Sequence, residues 1–205
     1  MKQIVLAITG ASGAIYARRL AQELVRSGAH VHLIISPHGR RVLADELGLQ
    51  RFSPRAILAE ETPQVTAYSY RDIGALPASG SFCTDGMVVC PCSSNTLAAI
   101  AAGLADNLIT RAAQVTLKET RRLVVVPRET PLSRIELTNM LRISEAGGIV
   151  CPASPGFHLL PRSIDELVDF VVGRVLDLLG LPHTLRTRWQ PDRAATPESE
   201  NVEPE

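Results

Sequence analysis

The sequence has no excess of charge and no long apolar run, and these absences exclude whole classes of function. Its 21 lysines and arginines balance 21 aspartates and glutamates, so no overall field draws it to nucleic acid or to an anionic membrane surface. Its apolar stretches all stop short of the roughly 18 residues that a membrane-spanning helix needs. We therefore expect neither a nucleic-acid partner nor a membrane-inserted segment.

The N-terminal stretch MKQIVLAITGASG has Lys2 ahead of apolar residues, as a secretory signal does. Its apolar part, Ile4 to Ile8, is shorter than the roughly 7–15 residues of a signal's hydrophobic region, and it leads into a glycine turn. We interpret this stretch as the first strand of a cytoplasmic protein.

Cysteine and clustered aspartate are also scarce, which argues against a metal site. The four cysteines are Cys83, Cys90, Cys92 and Cys151. The pair in Cys90-Pro91-Cys92 has no second pair and no nearby histidine to complete a zinc site, so we interpret the cysteines as small buried apolar residues. The chain also lacks a DDxxD motif, which would hold a magnesium-bound diphosphate. We expect no metal.

Short apolar runs rich in β-branched residues alternate with stretches of helical periodicity. The predicted strands are Ile4–Ile8, Val31–Ile35, Met87–Val89, Leu123–Val126 and Ile149–Val150. The predicted helices are Ala14–Ser27, Gly39–Leu47, Thr96–Gly103, Leu108–Lys118, Ser133–Ala146 and Ser163–Leu179. The alternation predicts an α/β fold, with a doubly wound, mostly parallel sheet of Rossmann-like or flavodoxin-like type in a three-layer α/β/α arrangement.

The domain is expected to cover residues 1–185. Residues 62–82 are rich in Pro, Ser and Gly and are predicted to form a loop. Residues 186–205 form a polar C-terminal tail, predicted to be partly disordered. Capping boxes at Ser133 and Ser163, each with Glu three residues later, predict where two of the helices begin.

Ligands of such sheets bind beyond the carboxyl ends of the strands. At the first strand exit, TGASGA offers a glycine turn and a helix N-terminus that suits a phosphate, with Ser12 as either a phosphate donor or a helix cap. The stretch is neither GxGxxG nor a Walker A loop. The second strand ends at Ser36 without an acidic residue for a ribose hydroxyl, which argues against NAD.

The exits of the later predicted strands carry more polar side chains than the stability of the fold requires. PCSSNT supplies three hydroxyls and one amide before a helix, whereas capping uses one or two of them, so a hydrogen-bonded small molecule is the better interpretation. Arg111 and Lys118 are about two helical turns apart and can share a face. Arg128 and Glu129 stand side by side directly after a buried strand, and Arg174 interrupts the apolar stretch FVVGRVLDLLG.

Six blocks of the sequence occur in the order and spacing of one known family. They are ITGASGAIYARRL, PASGSF, PCSSNT, DNLITRAAQVTLKE, VVVPRETPL and PRSIDELVDFVVGRVLDLLG. On these blocks the chain resembles the UbiX family of flavin prenyltransferases, over roughly residues 3 to 190.

The resemblance implies a flavodoxin-like or Rossmann-like domain that forms a homo-oligomer, typically a dodecamer, with active sites at subunit contacts. It implies FMN as cofactor and a metal-independent transferase reaction. In that reaction a dimethylallyl group passes from dimethylallyl phosphate to N5 and C6 of reduced FMN and builds a fourth ring. The product, prenylated FMN, serves a partner UbiD-type decarboxylase.

Carried over residue by residue, the resemblance assigns two binding sets. The FMN-binding set is Gly10, Ala11, Ser12, Ser36, Ser93, Ser94, Asn95, Thr96 and Arg128. The set expected around the prenyl phosphate is Arg111, Lys118, Glu129, His158 and Arg174. Clustered cations stabilise a departing phosphate through charge-assisted hydrogen bonds. Ser12 and Glu129 are the expected catalytic residues, which handle the proton at N5 and at the leaving phosphate.

The chain departs from the family in the loop before its last helix. The family usually has PxFYxxP, whereas this chain reads PGFHLLP, so His158 replaces a tyrosine that binds the substrate phosphate. An imidazole N–H also donates to phosphate; alternatively, His158 only fills the loop. Pro37 replaces a common lysine, and Ile73 a tryptophan found in some members. Trp189 matches a tail tryptophan that either packs over a site or anchors the C-terminus.

Two other functions remain open. FMN-dependent cysteine decarboxylases have a PASANT block that PCSSNT resembles, but they use a mid-chain histidine, and this chain has none between His38 and His158. An FMN-binding or delivery protein would keep the flavin motifs and lose prenyl transfer through the change at His158.

Overall fold

The computed structural model describes residues 1–187. Within them the strands are β1 (Gln3–Ile8), β2 (His30–Ile35), β3 (Val65–Tyr68), β4 (Gly86–Cys92), β5 (Arg122–Pro127) and β6 (Ile149–Val150). They form one parallel sheet in the order β3-β2-β1-β4-β5-β6. This is the strand order of a Rossmann sheet, whose winding reverses between the two central strands, here β1 and β4. The predicted doubly wound α/β fold is confirmed.

Helices cover both faces of the sheet. They are α1 (Ala14–Arg26), α2 (Pro37–Leu47), α3 (Pro54–Leu58), α4 (Ser94–Ala101), α5 (Leu108–Lys118), α6 (Arg134–Glu145) and α7 (Ile164–Leu179). One core cluster joins the sheet to α1 and α7, and the other joins it to α4 and α5. Strands covered on both faces are apolar throughout, and all of β4 is buried.

Two short elements are not predicted by the sequence pattern. The expected loop over residues 62–82 contains β3 and a 3-10 turn at Leu76–Ala78, so that prediction is wrong there. Since β3 lies at the sheet edge, its middle residues, Thr66 and Ala67, are exposed and give no apolar run. The other element is α3, a short helix capped by Ser53.

The predicted capping boxes both lie at helix starts. Before α6, the Ser133 hydroxyl caps the first turn and the Glu136 carboxylate accepts the Ser133 N–H at 2.9 Å. Before α7, Ser163 accepts the Glu166 N–H at 3.2 Å, but the Glu166 carboxylate accepts the N–H of Arg162 instead. The second box is therefore displaced by one residue.

Among residues 1–187, none of the helices combines the length and the apolar character that a membrane span requires. The predicted C-terminal tail, including Trp189, lies outside the described residues from residue 188 onward.

The prediction that the cysteines are small buried apolar residues is confirmed in part. Cys90 and Cys92 are buried in β4, and burial raises the pKa of both thiols, to about 12 for Cys92. Cys151 is half-buried, but Cys83 is exposed, so the interpretation as a buried apolar residue is wrong for Cys83, which lies in a surface loop. Within the described part of the chain, no group of three or more His, Cys, Asp or Glu residues is arranged to hold a metal.

β2 carries a buried histidine, His32, which is 4% exposed. Its Nε2 lies 2.8 Å from the side-chain oxygen of Gln3, and its Nδ1 lies 2.9 Å from the Tyr68 hydroxyl. Because the Gln3 oxygen only accepts, Nε2 carries the proton and Nδ1 accepts from Tyr68. Burial lowers the pKa of His32 to about 4, with a smaller contribution from His30.

His32 should make the stability of the fold depend on pH. Its folded-state pKa lies below the ordinary 6.5, so as pH falls the unfolded chain gains a proton that the folded chain does not bind. Between about pH 7 and about pH 5 this costs about 2 kcal/mol, and the loss levels off below the folded pKa. We expect His32→Gln to lack this component in urea unfolding at each pH. Equal pH slopes for the variant and the parent would contradict it.

Candidate functional site

One buried hydroxyl joins the exits of β1 and β4. Thr9 Oγ1 donates to the Pro91 carbonyl oxygen at 2.7 Å and accepts the Ser93 N–H at 2.8 Å. Thr9 is 1% exposed, so both bonds form away from water. Because the winding of the sheet reverses here, this bridge sets the spacing of the two loops that ligands of such sheets contact.

The loop after β1 lies against the start of α2. A Cβ on Gly10 would come within 2.4 Å of His38 Cβ, and one on Gly39 within 2.5 Å of the Ile8 carbonyl oxygen. Glycine therefore permits this close approach of loop and helix. Ser36 caps α2 by accepting the Gly39 N–H at 3.0 Å, which leaves its hydroxyl hydrogen to donate to another group.

The first turn of α1 already binds an anion, the carboxylate of Glu46. The Gly13 N–H donates to its two oxygens at 3.1 and 2.9 Å, and the Ala14 N–H donates to Oε2 at 2.7 Å. The helix cap is Gly13, with φ 111° and no side-chain hydrogen bond, so the alternative of Ser12 as a helix cap is wrong. A phosphate at these N–H groups would have to displace Glu46.

Sequence reasoning missed Glu46. It lies 32 residues from Ala14 along the chain, at the far end of α2, and no local motif indicates where that end will lie. The packing of α2 beside α1 brings it there.

The start of α4 presents the polar residues of PCSSNT. Ser93 Oγ accepts the Thr96 N–H at 3.3 Å and donates to Thr96 Oγ1 at 3.1 Å, so the Thr96 hydroxyl hydrogen can donate outward. Ser94 Oγ donates to Glu129 Oε2 at 3.3 Å, and Asn95 is exposed. Capping of α4 thus uses Ser93. The side chain of Asn95 and the hydroxyl hydrogen of Thr96 are available for another role.

Arg128 connects the exit of β5 to the loop after β1. Its Nε donates to the Ser12 carbonyl oxygen at 3.2 Å. Among the described residues, neither Nη group has an acceptor. The neighbouring Glu129 is exposed. The exits of β1, β2, β4 and β5 thus meet in one polar edge, the strand-exit cluster. Its members are Gly10, Ala11, Ser12, Ser36, Ser93, Ser94, Asn95, Thr96, Arg128 and Glu129.

A second group lies on α7 and the loop before it. The His158 ring meets the Phe170 ring edge-on, with centroids 5.6 Å apart. One helical turn further on, Arg174 lines a cavity of about 330 Å³ together with Phe170, Cys151 and Ser154. Burial raises the pKa of the Cys151 thiol, and Arg174 partly offsets the rise. The fold therefore brings His158 and Arg174 to the same side of α7.

A third group surrounds the PASGSF segment. Arg111 Nε donates to the Ala78 carbonyl oxygen at 3.1 Å. Lys118 Nζ lies 2.5 Å from Glu119 Oε1, and a Cβ on Gly80 would come within 2.8 Å of that Nζ. Arg111 and Lys118 thus face the same segment, as their spacing predicts.

Lys118 and the strand-exit cluster lie at opposite edges of the sheet. Lys118 ends α5 just before β5 begins, whereas Glu129 follows the end of β5. A strand of 6 residues spans about 20 Å, which a lysine side chain cannot cross. Arg121, a residue that sequence reasoning missed, is also at the amino edge and binds the Gly80 and Phe82 carbonyl oxygens at 2.7 and 2.8 Å.

Comparison with known proteins decides the family. The family described as Flavoprotein matches residues 1–176. A flavin prenyltransferase UbiX from Halalkalibacterium halodurans is 47% identical over 190 residues, which cover 91% of this chain and 92% of that protein. The chain belongs to the UbiX flavin prenyltransferase family.

Solved UbiX structures share the fold over nearly their whole length. AnUbiX (PadA1), in complex with FMN and dimethylallyl pyrophosphate, has a TM-score of 0.85 at 41% identity, covering 92% of this chain and 97% of that one. A dodecameric FMN-dependent UbiX-like decarboxylase from Escherichia coli O157:H7 has a TM-score of 0.84 at 42% identity, covering 92% and 99%. The family resemblance, with the flavoprotein class it implies, is confirmed.

The Thr9 bridge can be tested by Thr9→Val, which keeps the shape and removes the hydroxyl. We expect a loss of about 1–3 kcal/mol in the free energy of unfolding, because the Pro91 carbonyl and the Ser93 N–H lose a buried partner. FMN affinity should fall as well, since only the bond from the Thr9 N–H to the Pro91 carbonyl oxygen, at 3.2 Å, then joins the two loops. Urea unfolding and flavin titration measure the two effects.

The matched control is Thr138→Val, at an exposed position of α6. We expect it to change the free energy of unfolding by less than about 0.5 kcal/mol. An equal effect of both variants would contradict the role of Thr9.

Proposed function

We propose that this chain joins a dimethylallyl group from dimethylallyl phosphate to N5 and C6 of reduced FMN and so makes prenylated FMN. The observation that carries the proposal is the meeting of the Ser12, Ser94, Arg128 and Glu129 segments at three strand exits, in a chain of the UbiX family. When bound, reduced FMN supplies an electron-rich ring that is both the platform and the nucleophile.

The strand-exit cluster fits FMN because its remaining donors match an anionic ligand. Ser36 and Thr96 each keep a hydroxyl hydrogen to donate, and Arg128 keeps its Nη groups. Since Glu46 holds the first-turn N–H groups of α1, we assign the flavin phosphate to these other donors. Ala11 belongs to the same loop, and its side chain is buried.

Ser12 and Glu129 are the residues we assign to proton handling. Two donors hold the Glu129 carboxylate, the Ser94 hydroxyl at 3.3 Å and the Thr130 N–H at 3.2 Å. A carboxylate fixed in this way can accept a proton near N5 and return one to the leaving phosphate. Ser12 is exposed on the adjoining loop, where its hydroxyl can relay that proton.

The cations assigned to the prenyl phosphate do not all meet within one chain. Lys118 lies at the amino edge of the sheet, Arg111 against the PASGSF segment, and Arg174 on α7. A metal-independent phosphate site needs several donors together. We therefore propose that the chain forms a homo-oligomer, by analogy with the dodecameric relative, in which one copy completes the site of another.

His158 is assigned the place of the family's tyrosine. It lies on the same side of α7 as Arg174, and its ring packs on Phe170. An imidazole N–H there can donate to a phosphate oxygen.

The product would pass to a UbiD-type decarboxylase. A cytoplasmic location accords with the N-terminal apolar stretch being the central strand β1.

In the deciding experiment the protein is incubated anaerobically with reduced FMN and either dimethylallyl phosphate or the diphosphate. The mass of the extracted flavin is then measured by mass spectrometry. We expect a flavin heavier by one five-carbon prenyl unit. Unmodified FMN that stays bound with both donors would favour an FMN-binding or delivery protein, and His158→Tyr would then test whether histidine is the cause.

Glu129→Gln should separate flavin binding from chemistry. The amide keeps the size of the side chain but cannot take up a proton, so we expect bound FMN to remain while prenylated flavin forms about 100-fold more slowly, within the usual range for a lost general acid or base. Single-turnover formation of the product measures the rate. The control is Glu61→Gln, which alters only an exposed pair with Arg55. A rate of Glu129→Gln within twofold of the parent would remove Glu129 from the reaction.

Mixing two inactive variants tests whether the site is shared between copies. Lys118→Ala and Glu129→Gln should each be slow alone, because each lacks one part of every site. Co-expressed in equal amounts, they should recover up to about a quarter of the parent activity, since random assembly leaves that share of two-copy sites intact. No recovery in assemblies proven to contain both variants would show that Lys118 does not complete the site of another copy.

A further inference from the structure

The start of α2 lies directly against the end of β1 and the loop that follows it. The Ser36 N–H donates to the Ile8 carbonyl oxygen at 3.0 Å, and a Cβ on Gly39 would come within 2.5 Å of that oxygen. A Cβ on Gly10 would come within 2.4 Å of His38 Cβ and 3.4 Å of His38 Cγ. The two glycines therefore permit a close approach that fixes the backbone of His38 beside the loop after β1, with the imidazole starting at that loop.

The imidazole of His38 has no partner within the described part of the chain. His38 is exposed, and neither ring nitrogen makes a hydrogen bond to any residue from 1 to 187. By contrast, His30 Nε2 lies 2.9 Å from Thr66 Oγ1, and the buried His32 is bound at both nitrogens. A neutral imidazole carries one N–H donor, and a protonated imidazole carries two. In either protonation state, His38 offers a donor to a ligand at the loop after β1.

In this chain the phosphate of FMN depends on side-chain donors. The N–H groups at the start of the helix after a glycine turn commonly bind a phosphate, but here those of Gly13 and Ala14 donate to Glu46. One of the donors assigned to the phosphate instead is the hydroxyl of Ser36, which is buried and caps α2. His38 lies two residues further along the same helix start. Its imidazole therefore lies close to an assigned phosphate donor and at the edge of the ligand-binding loop.

We propose that His38 is a cofactor-binding residue whose ring N–H donates to the FMN phosphate from the start of α2. This inference rests on the proposed function in one respect, that FMN is the ligand of the strand-exit cluster. Riboflavin has the same ring system as FMN and lacks the phosphate. Because the contact is made to the phosphate, His38 favours FMN over riboflavin and takes no part in the proton transfers.

The test compares the Kd values of FMN and riboflavin in the parent, His38→Leu and His38→Gln. Leucine keeps bulk beside Gly10 and removes the donor, whereas glutamine retains an N–H of similar reach. Titration of flavin fluorescence with each protein gives the Kd values. For His38→Leu we expect the Kd of FMN to rise about tenfold, the size of one hydrogen bond to a charged group, and the Kd of riboflavin to stay within about twofold. His38→Gln should recover most of the affinity for FMN.

A role of His38 in packing alone gives a different result. If the side chain only covers Gly10, or if its imidazole only contacts water, the ratio of the two Kd values in His38→Leu equals that of the parent. That outcome overturns the inference. Because the ratio compares two ligands of one preparation, a fraction of unfolded variant does not alter it.

The matched control is Arg40→Leu, two residues further along α2 and so on another side of the helix. Arg40 is exposed, and its guanidinium lies over the Phe52 ring, 5.7 Å from the centroid. The variant removes a positive charge from α2 and leaves the donor beside Gly10 in place. We expect the ratio of the two Kd values to stay within about twofold of the parent. An equal change in Arg40→Leu and His38→Leu would assign the preference for FMN to the general charge of α2 and overturn the role of His38.

The inference and the proposed function can fail separately, because the titrations contain no prenyl donor. If the parent makes prenylated FMN and the ratio of Kd values is the same in His38→Leu, only the inference is wrong. If the parent binds FMN more tightly than riboflavin but transfers no prenyl group, the proposed reaction is wrong, and the His38 variants still decide the inference. A parent that binds FMN no more tightly than riboflavin overturns the inference, since no phosphate contact then contributes to affinity.

Discussion

The candidate site depends on the hydroxyl of Thr9, which joins the exits of the two central strands where the winding of the sheet reverses. Backbone groups at the ends of buried strands need partners, and Thr9 supplies them for Pro91 and for the N–H of Ser93. With that N–H bound, α4 begins directly after Ser93. The exits of β1, β4 and β5 can then share one polar edge, at which we propose that the flavin binds.

The charges of the protein are dispersed, and two of the cations assigned to the prenyl phosphate have a carboxylate beside them. Lys118 pairs with Glu119, and Arg174 pairs with Asp177. Pairing lowers the cost of holding a charge near the protein surface, but it also occupies donors of Lys118 and Arg174 that a phosphate would otherwise take. The association of copies that we propose is a physical route by which such a chain would concentrate its cations.

Much of the fold could be predicted because buried parallel strands are apolar on both faces. β1, β2, β4 and β5 follow directly from such runs. β3 could not, because an edge strand has exposed positions such as Thr66 and Ala67. Within the site, the polar residues at the strand exits could be predicted because each follows a predicted strand. Glu46 and Arg121 were not, because each acts on a segment distant in the chain.

The sequence by itself determined the family, the layered α/β architecture and the polar strand exits, since apolar periodicity and local motifs encode them. Only the tertiary structure decided that Glu46 rather than Ser12 satisfies the start of α1, and that Lys118 lies across the sheet from Glu129. It also decided that the segment after α7 brings His183 to Asp177 beside Arg174. These arrangements depend on how helices and strands pack, and no spacing along a single chain records that packing.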